Sequence, residues 1–128
     1  MAHYLRQGVY NRTGSDILVE ITTLSLLQCR YSITVTDLTV HASLNFGPFD
    51  NLNNGPHVSQ LIPVPSSTNN SIQILIPIAI ADQVGTGGEY SYIVQVTQDG
   101  LPLVEPVNVD SVQITGNLDV DVVAVYLN

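Results

Sequence analysis

The chain has 128 residues, a formal charge of −8 and no lysine. Its only cations beside three histidines are Arg6, Arg12 and Arg30, too few to compensate a phosphate backbone or an anionic bilayer, so nucleic acid and membrane surfaces are excluded as expected partners. Charged residues make up 11% and apolar residues 45%, against a usual charged share of about a quarter, so solubility rests on Ser, Thr, Asn and Gln.

This length gives one domain, able to bury roughly two-thirds of the surface its unfolded chain exposes. The longest apolar run, residues 72–81, is broken by Gln73 and Pro77 and is too short to span a bilayer; no membrane insertion is expected. The first residues, Met-Ala-His-Tyr-Leu-Arg-Gln-Gly, lack the basic-then-apolar layout of a signal peptide. Cys29 is the single cysteine, so no intrachain disulfide forms. It reads as a small buried strand residue, with a nucleophile or an intermolecular link as the alternatives.

In chain order, the first element is an N-terminal arm. His3, Leu5, Gln7 and Val9 alternate with Tyr4, Arg6, Gly8 and Tyr10, a period-two pattern that predicts a strand. Two of the three arginines lie in or beside it, on an otherwise acidic chain. That suits an arm (His3, Tyr4, Leu5, Arg6, Val9, Tyr10) that docks on a neighbouring copy by strand addition; the alternative is pairing within its own subunit. Asn11-Arg-Thr-Gly14 then forms a turn, which puts arm and turn in residues 1–14 and the main domain in residues 15–128.

Alternation continues through Ile17, Val19 and Ile21, and through Tyr31, Ile33 and Val35. After Asp37 the apolar set changes parity to Leu38, Val40, Ala42 and Leu44, as a β-bulge or a strand crossing between sheets would produce. Residues 45–55 read as a long Asn-rich loop, whose Phe46 and Phe49 either stack on a ligand or fold back as a lid over one end of the domain.

The clearest strand carries Ile72, Ile74, Ile76, Ile78 and Ile80 on one face. Proline cannot donate to a ladder, so Pro77 predicts an edge strand or a bulge and makes these isoleucines the candidate assembly edge. Tyr90, Tyr92, Val94 and Val96 form another inward face, and Asp99-Gly100 supplies the positive φ angles of a hairpin turn. The last run, residues 118–127, is apolar on both faces beyond its acidic start, as a central or covered strand would be. Eight or nine such strands predict an all-β fold: a single antiparallel β-sandwich, jelly-roll or immunoglobulin-like, with an N-terminal extended arm.

No catalytic motif is present among the scattered His3, His41 and His57, and no enzyme activity or cofactor is expected. A His41–His57 pair is short of the three or four ligands that metal sites use, so no metal is assigned. Asp99, Asp110, Asp119 and Asp121 match no EF-hand spacing and read as solvated strand-end acids. The sequons Asn11-Arg-Thr13 and Asn69-Asn-Ser71 matter only in a glycosylating host.

Asn11-Arg-Thr-Gly14 before a Thr-rich strand, the Thr-rich residues 32–39, and the closing Ile114-Thr-Gly-Asn-Leu118 strand together resemble the layout of bacterial endospore-appendage fibre subunits. The resemblance implies a small jelly-roll protein with a connector arm, poor in lysine, that assembles outside the cell or on the spore surface. Residues 1–14 contain no cysteine, so it does not extend to covalent cross-linking through the arm. The expected function is therefore a non-catalytic subunit that polymerises with copies of itself into a filament. The alternative is a binding module, lectin-like or a capsid decoration protein, that uses the Phe46–Gly55 loop.

Overall fold

The computed structural model describes residues 1–65 and 70–128; the Asn69 sequon falls partly outside them. Among the described residues ten strands follow one another: β1 (His3–Gly8), β2 (Ile17–Thr23), β3 (Gln28–Asp37), β4 (Ala42–Asp50), β5 (His57–Ile62), β6 (Ile72–Ala81), β7 (Glu89–Gln98), β8 (Leu101–Pro102), β9 (Val107–Gln113) and β10 (Leu118–Leu127). The first sheet has the order β1-β10-β6-β3-β4, and the second runs β5-β2-β7 with β8 and β9 both paired to β7. Every pairing is antiparallel except that of β1 with β10.

The two sheets pack face to face because alternate residues of each are apolar. Ile72, Ile74, Ile76, Ile78 and Ile80 all point inward, where they meet Ile17, Val19 and Ile21 of β2 and Tyr92, Val94 and Val96 of β7 in one buried core. Each isoleucine, fully buried, contributes about 2–3 kcal/mol relative to an exposed side chain. The result is a single-domain β-sandwich.

Pro77 does not put the isoleucine strand at an edge. β6 is the central strand of the first sheet, so residues 72–80 are not an assembly edge. The ladder with β10 continues through Pro77, opposite Val122. On the other side the ladder with β3 lapses between the Tyr31–Ile78 and Thr34–Leu75 pairs, and Pro77 falls within that gap. A missing N–H is tolerated where no partner is asked of it. The neighbouring β3–β4 ladder is irregular at the same level, where its register shifts between Tyr31 and Ile33.

The parity change after Asp37 is a hairpin turn, not a bulge or a change of sheet. The Asp37 carboxylate accepts the Thr39 and Val40 N–H groups at 2.9 and 3.3 Å, and His41 takes a positive φ of 56° to close the turn. Leu38, Val40, Ala42 and Leu44 are consequently exposed. The expected loop at 45–55 is strand β4 as far as Asp50, because Ser43 and Asn45 pair across with Thr36 and Thr34. Asp99 and Gly100 do form the tight hairpin between β7 and β8, with φ of 53° and 78°.

Candidate assembly surfaces

β1 lies along its own subunit, parallel to β10, in register from His3 opposite Val122 to Gly8 opposite Leu127. Tyr4 and Arg6 turn toward the sandwich, while His3, Leu5, Gln7 and Val9 face solvent. Both arginines of this segment are engaged within the chain. Arg6 donates through Nε to the Glu105 carbonyl at 3.1 Å and through Nη2 to that of Pro106 at 3.4 Å. Arg12 donates to the Tyr10 hydroxyl at 2.8 Å and the Asn70 carbonyl at 3.1 Å, with its guanidinium 4.9 Å from the Tyr10 ring centroid.

The start of β1 is held by a carboxylate that the sequence reading placed in solvent. Asp121 is buried. Its Oδ1 accepts the Ala2 N–H at 3.2 Å and its Oδ2 accepts the Tyr92 hydroxyl at 2.7 Å, with the Tyr90 hydroxyl at 3.5 Å. Parity explains the position: Asp121 shares the inward face of β10 with Val123, Val125 and Leu127. Burial, then the nearby carboxylate, pushes the Tyr90 phenol up to about 12 and raises Tyr92 further. The Cys29 thiol, buried and unlinked, is pushed up to about 11 by burial first and Asp121 second, which leaves it protonated and unreactive near neutrality.

The opposite edge of this sheet is β4, whose outer side pairs with no strand among the described residues. Residues 42–49, Ala-Ser-Leu-Asn-Phe-Gly-Pro-Phe, carry no charge. Leu44 is 49% exposed there, beside the exposed Val40 of the preceding turn. Phe46 and Phe49 lie on strand β4, half-buried against the core, Phe49 with its ring 5.8 Å from that of Tyr31. An apolar groove of about 200 Å³ opens between this edge and the end of β5, lined by Val35, Leu44, Ile62, Val64 and Ile72 among others.

The remaining candidates do not converge. His41 sits in the β3–β4 turn and His57 at the start of β5, where its ring contacts Thr22, Ser59 and Glu20. His57 Nε2 lies 3.3 Å from Glu20 on an exposed strand surface. Asp99 accepts from the N–H and hydroxyl of Ser15, and Asp110 pairs with Ser91 and Ser111. Among the described residues no three His, Cys, Asp or Glu side chains gather as metal ligands, and no helix is long and apolar enough to cross a membrane. Compared with known proteins, the chain matches no family model, no curated protein and no solved structure.

Proposed function

We propose that this protein is a non-catalytic structural subunit that polymerises with copies of itself, the β4 edge of one copy receiving the β1 edge of the next. The observation that carries this reading is the β4 edge, uncharged over residues 42–49 and paired on its outer side with no strand among the described residues. Natural edge strands are blunted by lysines, prolines, bulges or inward charges; on β4 the Gly47–Pro48 step and the register shift beside it blunt the far end, while residues 42–46 carry no charge and no proline. The N-terminal segment keeps the role expected of it as the donor, but without leaving its own sheet: β1 is the edge opposite β4. Pairing the two joins the five-stranded sheets of successive copies.

Such a contact is heterologous, so it propagates into an open filament unless its rotation closes a ring. Main-chain hydrogen bonds supply most of the contact, and the side chains beside them, Leu5 and Val9 on one copy and Val40 and Leu44 on the other, are apolar and exposed. The resemblance to endospore-appendage subunits carries the same implication and adds an extracellular or spore-surface location. Placing a charge on the accepting edge tests the reading. Leu44→Lys should leave the fold intact by circular dichroism and abolish filaments; filaments of unchanged length and number from this variant would defeat it.

A further inference from the structure

The two outer faces of the sandwich differ in chemistry. On the second sheet the outward side chains mix apolar and polar groups with acids, among them Leu18, Glu20, Gln95, Thr97 and Asp110. On the first sheet the outward face of β10 carries Val120, Val122, Ala124 and Tyr126, and that of β6 carries Leu75, Pro77, Ala79 and Ala81 beside a single Gln73. β3 adds Ser32 and Thr34, with Arg30 toward one end. No carboxylate projects from this side of β10, β6 or β3, although the chain has eleven acidic residues. All the residues named on β10 and β6 keep part of their surface open to solvent.

We propose that this face packs against the same face of a second copy, so that assembly proceeds through two interfaces: edge to edge along a filament, and face to face between two layers. This deepens the polymerisation reading and rests on it for the filament, but the face-to-face contact stands on separate residues.

A second copy is the occupant that the charge distribution favours. Two chains of charge −8 repel wherever their acids meet, and this face is where they can approach without juxtaposing carboxylates. An anionic lipid surface would need the cations that the face lacks, apart from Arg30. At ~4.8 Å strand spacing and ~3.3 Å per residue over about eight residues, β10, β6 and β3 give a projected area of roughly 400 Å², and the flanking β1 and β4 bring the whole sheet face to roughly 600 Å². A standard stable interface buries about 800 Å² of accessible surface per partner, and a corrugated face exposes more than its projection. Toward the Ala79 end the side chains are short, Pro77, Ala79 and Ala81 beside Val120 and Val122, and Leu75, Gln73 and Tyr126 fill the other end, so two such sheets can approach to the ~10 Å separation of packed β layers.

The test uses sedimentation velocity on Leu44→Lys, in which edge growth is blocked, between about 10 and 200 µM at neutral pH. That variant should be a dimer. Adding Ala79→Asp, or in a separate protein Val122→Asp, should give a monomer with an unchanged circular dichroism spectrum; the two positions lie on different strands, so a folding defect in one leaves the other as the readout. Because like-charge repulsion opposes an apolar contact here, the dimer should tighten several-fold between 0.05 and 0.5 M NaCl as the Debye length shrinks. A monomeric Leu44→Lys at every concentration, or a dimer indifferent to both aspartates, would overturn the inference. If the wild type forms no filaments while Leu44→Lys still dimerises, the edge reading fails and the face-to-face contact survives.

Discussion

Asp121 ties the core to the N-terminal strand. Its carboxylate is shared between the Ala2 amide of the β1 end and the Tyr92 hydroxyl of the opposite sheet, so one side chain couples the two layers to the edge strand. Removing it leaves a buried phenol without its acceptor, which costs about 1–3 kcal/mol; Asp121→Ala should lower the unfolding free energy by that amount, read as a lower urea midpoint with the m-value unchanged. The tyrosines set an alkaline limit. Tyr31 and Tyr90 are pushed up to about 12 and Tyr92 higher, in each case by burial first. A folded-state value above the unfolded value of about 10 means this stability is fully present below pH 10 and is lost as pH rises through 12. The melting temperature should therefore hold to about pH 10 and then fall, with the tyrosinate absorbance of these three residues appearing only as the fold is lost. A smooth ionisation of all six tyrosines near pH 10 in the folded protein would contradict this. The sequence hid Asp121's role, because an acid two residues from another acid at a strand start looks solvated; only the inward parity of Val123, Val125 and Leu127 marked it.

At the scale of elements, period-two alternation made β2, β3, β6, β7 and β10 legible, because each has one face that must be buried. Pro77 misled on position: a proline excludes a central strand only if its missing N–H faces an intact ladder, and here the β3 ladder lapses beside it. β4 was misread because its apolar residues follow a tight turn that exposes them, and β5 and β9, with burial patterns eBeieB and BeBeeie, offer too few inward positions to stand out. Two substitutions probe the packing. Ile76→Ala, at a fully buried position of the central strand, should cost about 2–5 kcal/mol. A Cβ at Gly8 would lie 2.1 Å from the Leu103 carbonyl oxygen, so Gly8→Ala must push β1 off the β8–β9 connection. Overpacking of this kind costs about 1–3 kcal/mol; hydrogen exchange should show the loss concentrated in residues 3–8 while the β6 amides stay protected.

For the whole molecule, the composition and the fold tell one story. A chain with few charges and no lysine has, among the described residues, an uncharged edge stretch at 42–46 and one largely apolar sheet face, features that suit contacts between copies better than a solvated monomer. The double-sided apolar pattern of residues 118–127 already pointed to a covered strand. What the sequence could not disclose was which face of that strand turns into the sandwich and which, with Val120, Val122, Ala124 and Tyr126, stays on the outside, since pairing order and face assignment depend on the whole topology. The most direct measurement is negative-stain electron microscopy of the purified wild-type protein at neutral pH, with size-exclusion chromatography of the same sample. Filaments or rings are expected, with material eluting ahead of the monomer. A monodisperse monomer, with no assemblies on the grid at any concentration up to several hundred micromolar, would contradict it.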